Sequence, residues 1–255
     1  MTESARATRA IEIERHIDAP PEDVWAALTT GEGLKRWFVV DAKVDPKVGG
    51  MLWISWGPGM EGEAPIHIWE PHRRFGWTET HGTDDSGAPI QVVVDFEIAA
   101  ESGGTTLRLV QSGFSAAAEW DEMFDATVDG WNYFFFNLAE CVTRHAGKPR
   151  GLAWARLPTE FSRDEAWTRL VEGGLLPSDT TPEVTVDTPR PVSVVSSRRG
   201  HHLACTIPDL DDSILFVEFE GRHIGFWLST YGFDQERVAS LQADLDARVE
   251  ATLGN

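Results

Sequence analysis

Cysteine is scarce in this chain of 255 residues: there are two, Cys141 and Cys205, and neither stands in a CxxC pair. That pattern excludes a disulfide framework, offers no thiolate metal site and fits a reducing compartment. Basic residues are also few. Lys and Arg number 22 against 41 Asp and Glu, giving a formal net charge of −19. Such a balance repels phosphate backbones and anionic membrane surfaces, so no nucleic acid is expected as a partner. Long apolar runs are missing as well. No segment approaches the roughly twenty mostly apolar residues of a spanning helix, and MTESARATRAIEIERH carries charges where a secretory signal has its apolar stretch. A soluble, cytoplasmic protein without membrane contact is expected.

Motifs that carry chemistry are absent too. The eight histidines include no HExxH and no H-x-H, and His201 and His202 point to opposite faces if they lie on a strand, so no metal is expected. There is no G-x-S-x-G elbow and no cysteine beside a plausible base. Gly57-Pro58-Gly59-Met60-Glu61-Gly62 matches G-x-G-x-x-G in letters. A dinucleotide site needs a helix N-terminus directly after the glycines, whereas Glu63-Ala64-Pro65 and a strand follow here, so a hairpin loop is expected and no cofactor.

What is present is a core. Hydrophobic residues make up 42% of the chain, enough to fill one large domain or two small ones. Between Glu119 and His145, Trp120, Phe124, Val128, Trp131, Phe135, Leu138 and Val142 recur at steps of three and four. This spacing predicts one stripe on a helix of about seven turns, packed on a large concave partner. Gly130 inside it costs about 1 kcal/mol relative to alanine, which predicts the close approach of another backbone. Ahead of this helix come a strand at Ile11–Ile17, a helix opened by Pro20-Pro21-Glu22-Asp23, a short helix over 31–38 capped by Thr30, and six strands. The strands are read at Val39–Val44, Met51–Trp56, Ile66–Glu70, Arg74–Glu79, Ile90–Ala99 and Thr105–Gln111. Turn chemistry between them, including Asp84 to Gly87, predicts sequential antiparallel pairing.

The programme restarts after a linker at Ala146–Gly151, which sets domains at 1–147 and 148–255. A strand at Gly151–Leu157 and a capping box, Ser162 to Glu165, lead into a helix. Strand-like runs at Val192–Ser196, His201–Thr206, Ser213–Glu220 and His223–Ser229 follow, and a helix capped by Asp234 closes the chain. Glu22-Asp23-Val24-Trp25-Ala26-Ala27-Leu28 and Asp164-Glu165-Ala166-Trp167-Thr168-Arg169-Leu170 share acid-acid-apolar-Trp-x-x-Leu, so two tandem copies are expected, the second shorter and divergent.

Over residues 10–145 the chain resembles the START-like helix-grip superfamily (SRPBCC), and within it the family named after the activator of the 90-kDa heat-shock protein's ATPase. The residues that carry this are Ala19-Pro20-Pro21 with Val24-Trp25, Leu34, Trp37, Gly49-Gly50, Pro71 with Arg74-Phe75 and Trp77, Thr106-Leu107, Ser112-Gly113-Phe114, and Gly130-Trp131. The resemblance implies an α+β fold in which a curved antiparallel sheet wraps around a long C-terminal helix. It also implies a cavity between sheet and helix, which many relatives use for lipids, polyketides or other apolar small molecules, and it favours Trp77, Leu109 and Gln111 pointing inward. Gln111 stands where many relatives carry a histidine.

Candidate cavity-lining residues are Trp53, His67, Trp69, Trp77, Phe96, Leu109, Gln111, Trp131 and Phe135. The aromatics among them equally suit ordinary core packing. His67 shares strand parity with Trp69, while Asp95 and Arg108 have the opposite parity and suit cross-strand ion pairs on a solvated face. No catalytic residue is assigned. Three functions stay open: binding of an apolar small molecule, a protein-interaction or regulatory role with a protein partner or a homodimer, and an enzyme resembling polyketide cyclases and dehydratases that needs an acid or base inside the cavity.

Overall fold

The computed structural model describes residues 8–83 and 87–254. The polar leader and most of the turn at Asp84 to Gly87 lie outside the described residues. The chain divides into two compact units that meet at Gly147 and Lys148.

The first unit opens with β1 (Thr8–Ile17), α1 (Pro21–Thr29) and α2 (Gly31–Lys35). Pro21 sits in the first turn of α1 with Glu22 and Asp23, where a missing N–H costs nothing and acids complement the helix dipole. Thr30 caps α2 by accepting from Gly33 N at 2.9 Å. The short helix stops at Lys35, before Phe38 where the sequence places its end. β2 (Asp41–Val44), β3 (Met51–Ser55), β4 (Glu61–Glu70), β5 (Arg74–Thr83), β6 (Pro89–Glu101) and β7 (Gly104–Ser115) follow. β4 begins at Glu61, so the glycine-rich loop is a hairpin and Glu63-Ala64-Pro65 are already strand. The seven strands form one antiparallel sheet in the order β1-β7-β6-β5-β4-β3-β2. α3 (Asp121–Thr143) lies against its concave face.

Two bulges decide which side chains face α3. In β7 the pairing with β1 slips at Gly113, whose φ of +98° suits glycine. Leu107, Leu109, Gln111 and then Phe114 are therefore all buried on one face. In β4 the pairing with β5 slips between Ile66 and Ile68, which makes His67 the extra residue.

Along α3, Trp131, Phe135, Leu138 and Val142 are buried, while Phe124 and Val128, and Trp120 just before the helix, are half-buried. Asn137 donates to Trp37 O at 2.6 Å and so ties the helix to the turn after α2. The expectation for Gly130 fails. A Cβ there meets only the Phe134 ring, at 3.7 Å, so no second backbone approaches it.

The second unit repeats the order on a smaller scale: β8 (Arg150–Pro158), α4 (Arg163–Glu172), the short pair β9 (Glu183–Thr185) and β10 (Pro189–Pro191), β11 (Ser193–Arg198), β12 (His202–Ile207), β13 (Ser213–Glu220), β14 (His223–Tyr231) and α5 (Gln235–Leu253). Its sheet runs β11-β12-β13-β14-β8. In both units the opening strand pairs with the last strand of the meander, a helix follows the opening strand, and a long helix ends the unit. The chain is thus two tandem helix-grip copies. Ser162 and Asp234 cap α4 and α5 as their sequence context predicts. Asp187, after β9, accepts from Arg190 and Arg237 and so fastens this loop to α5. On the outer border of the sheet, Gln242 of α5 accepts from Trp154 N at 2.9 Å and donates to Trp154 O at 2.8 Å.

Candidate functional site

The inner face of the first sheet is built by alternation. Phe75 and Trp77 on β5 stand opposite Phe96 and Val94 on β6, and these stand opposite Leu109 and Gln111 on β7. All six are buried. From α3, the Trp131 ring meets Phe96 at 5.8 Å edge to face and Phe135 stacks on Phe96 at 6.3 Å. The chain of rings continues through Trp77, Phe75 and Trp69 to Trp25 of α1, with centroid distances between 5.3 and 5.7 Å. Rings at these distances and tilts attract each other beyond their area burial, by about 1 kcal/mol per pair. The opposite wall is one that strand alternation does not reveal. Phe38 stacks on Trp131 at 5.5 Å, and Trp56 packs on Phe38 and Phe134.

Trp77, Phe96, Leu109, Gln111, Trp131 and Phe135 are therefore brought together beneath α3, and Trp69 joins them through Phe75. Two sequence candidates are not. Trp53 lies on the face that carries Lys43 and Glu63, with the Lys43 ammonium 4.8 Å from its ring, while its neighbour Leu52 takes the buried side. In the uniformly apolar run Met51-Leu52-Trp53-Ile54, alternation alone gives no sign of which parity is inward. His67 is turned over by the β4 bulge. Its Nε2 lies 2.8 Å from Asp95 Oδ1 and its Nδ1 3.1 Å from Thr78 Oγ1, both on the outer face. Gly76 between them has no side chain, and a Cβ there would sit 2.4 Å from Asp95 Oδ1. Arg108 is on this outer face as well, donating to Glu12 and Glu97.

The inner face also holds polar groups. The Trp131 Nε1–H donates to Gln111 Oε1 at 2.6 Å, and Gln111 is only 5% exposed. Because an indole nitrogen can only donate, this bond fixes the carboxamide orientation and turns the Gln111 NH2 group away. That nitrogen meets no acceptor among the described residues, yet it is not sealed from solvent. Two residues beyond Trp77 on the same side of β5, Glu79 accepts from the Trp77 Nε1–H at 2.8 Å, and its second oxygen lies 2.9 Å from His81 Nε2. Two tryptophan N–H groups are thus held by two acceptors, one neutral and one ionisable. Strand parity put Gln111 on one face with Leu107 and Leu109, and the family resemblance turned that face inward. Glu79 shares that parity, but its pairing with the indole is not visible in the sequence. Among the described residues, no group of three or more His, Cys, Asp or Glu side chains is placed to hold a metal ion, and no helix is long and apolar enough to cross a membrane.

Residues 18–143 match the family described as activator of Hsp90 ATPase homolog 1-like protein. None of the curated proteins matches the chain. Among solved structures, the chain is similar to protein MLL2253 from Mesorhizobium loti, with 30% identity over 53% of this chain and 98% of that one and a TM-score of 0.47. It is similar to the Aha1 dimer from Colwellia psychrerythraea, with 20% identity over 52% and 95% of the two chains and a TM-score of 0.46. DynU16, from the dynemicin biosynthetic locus, is similar over 96% of both chains at 17% identity and a TM-score of 0.45.

Proposed function

Through residues 18–143 this chain belongs to the activator of Hsp90 ATPase homolog 1-like family, and from that premise we propose that its first unit binds an apolar small molecule between the sheet and α3. The observation that carries the reading is the Gln111 amide nitrogen. It is a donor without an acceptor among the described residues, on an inner face that is mostly aromatic and aliphatic. With solvent access and no acceptor among the described residues, this N–H is open to an acceptor from a ligand or a water. Trp77, Phe96, Leu109, Trp131 and Phe135 supply the apolar walls around it, and Trp69 extends them towards α1.

Native mass spectrometry of the full chain, purified without detergent, tests this. An organic molecule should leave on denaturation, or the protein should take up members of a panel of neutral apolar probes. If it carries nothing and takes up none of them, the reading is wrong.

A second reading, a regulatory protein that works through a protein partner or as a homodimer, is favoured by the ring-to-ring packing from Trp25 to Trp131, which supports a closed interior. The cyclase-like reading lacks support from its sequence candidates. His67, Asp95 and Arg108 stand on the outer face, away from any substrate under α3. No catalytic role is proposed for Glu79 or His81.

A further inference from the structure

Resting on the binding reading above, we infer that the site selects neutral ligands that carry a carbonyl oxygen and rejects carboxylates of the same size. The inner face determines which polar headgroup it can hold. Its free donor is the Gln111 NH2 group, turned away from Trp131 by the bond at 2.6 Å. One amide N–H suits one neutral acceptor such as a ketone or amide oxygen, and it leaves no charge to be compensated.

A carboxylate entering the same place loses far more hydration than a ketone does, and it is stable there only beside a cation or several donors. The cations of other elements that bond α3 or its C-terminal end are already committed. Arg36 donates to Cys141 O and His145 O, and two more lie on the edge strand β1. Arg9 donates to Asp121 and to Ser115 O. Arg15 donates to Asn132 Oδ1 and Glu14 O. An ionisable group on the inner face, Glu79, has the wrong sign. Glu79 follows Trp77 on β5, and Trp77 faces Val94, which faces Gln111. Two strand spacings and two residues along a strand put the Glu79 and Gln111 backbones on the order of 10 Å apart. At about a Debye length, Glu79 still repels a second anion. The chain's net charge of −19 adds to this at longer range.

The test is displacement of a neutral fluorescent probe, N-phenyl-1-naphthylamine, from the full chain at pH 8 by 2-dodecanone and by dodecanoate. The ketone should half-displace the probe at a concentration at least tenfold below that of the fatty acid. Gln111→Glu keeps an oxygen for the Trp131 N–H and removes the donor, so it should weaken the ketone about tenfold, the value of one buried hydrogen bond, while the probe still binds. Gln111→Leu should do the same, and near-UV circular dichroism checks that both variants keep their packed aromatics. Glu79→Gln should strengthen dodecanoate severalfold and leave the ketone unchanged. Equal displacement by ketone and fatty acid, or a ketone indifferent to both Gln111 substitutions, overturns the inference while the binding reading stands. A wild-type chain that binds neither probe nor ketone overturns both.

Discussion

Glu218 illustrates how one carboxyl in this protein sets a pH dependence. It stands on β13 with Gly225 opposite it on β14, and it accepts from the Trp227 indole at 2.9 Å; Trp227 itself stacks on Trp154. Burial pushes its carboxyl up to about 7, partly offset by the Trp227 bond, against about 4.3 in an unfolded chain. A folded-state value above the unfolded one favours the protonated native state. Its contribution is complete below about pH 4 and is lost as the pH rises through 7. Glu218→Gln keeps an oxygen for Trp227 and cannot ionise. Urea unfolding at pH 5 and pH 8 should therefore show the wild type losing on the order of 1–3 kcal/mol relative to this variant; parallel pH profiles would refute the assignment. This carboxyl was not legible in the sequence, because Glu218 alternates with Leu215, Val217 and Phe219 as a solvent-facing strand residue would. That Gln111 and Leu109 share a face was legible, because a period of two is a local property of β7, and the family resemblance turned that face inward. His67 and Trp53 were not: one sits in a bulge, the other in a run whose members are all apolar.

At the scale of elements, α3 was the most legible feature, since six spaced apolar residues over 23 residues of helix, with Trp120 just ahead of it, leave little ambiguity. The strands of the two main sheets were legible in number and order and their ends less so, while the short pair β9 and β10 was not read at all. β4 and β5 reach further than their apolar runs because backbone pairing continues through Glu61–Pro65 and out to Thr83. Trp56 and Phe38 pack under α3 from a bend and a turn, where no periodicity applies. Gly130 is the one weak position of α3. With only the Phe134 ring near its absent Cβ, Gly130→Ala fits without displacement. It should stabilise the protein by up to about 1 kcal/mol, measured as a higher midpoint in thermal unfolding. A lower midpoint would mean that the glycine serves a conformation the native helix does not display.

For the whole molecule, charge was the property most directly read from composition. With 41 acids against 22 bases, the folded chain repels itself, and screening relieves that repulsion within a Debye length of about 10 Å at 0.1 M salt. Raising sodium chloride from 20 to 300 mM should raise the melting temperature, and a fall would show that the attractive pairs, such as Arg108 with Glu12 and Glu97, outweigh the repulsive field.

The two borders of the second sheet are managed differently, and this bears on how the chain behaves when crowded. β11 exposes Val194 and Val195, and the slip in its pairing with β12 between Val194 and Ser196 bends it away from a straight template. At β8 the Gln242 carboxamide occupies both backbone positions of Trp154, as a neighbouring strand would. A stray polypeptide seeking to lengthen the sheet there would first have to evict that side chain. One glutamine side chain thus fills, at Trp154, the two backbone positions that edge-to-edge growth would use.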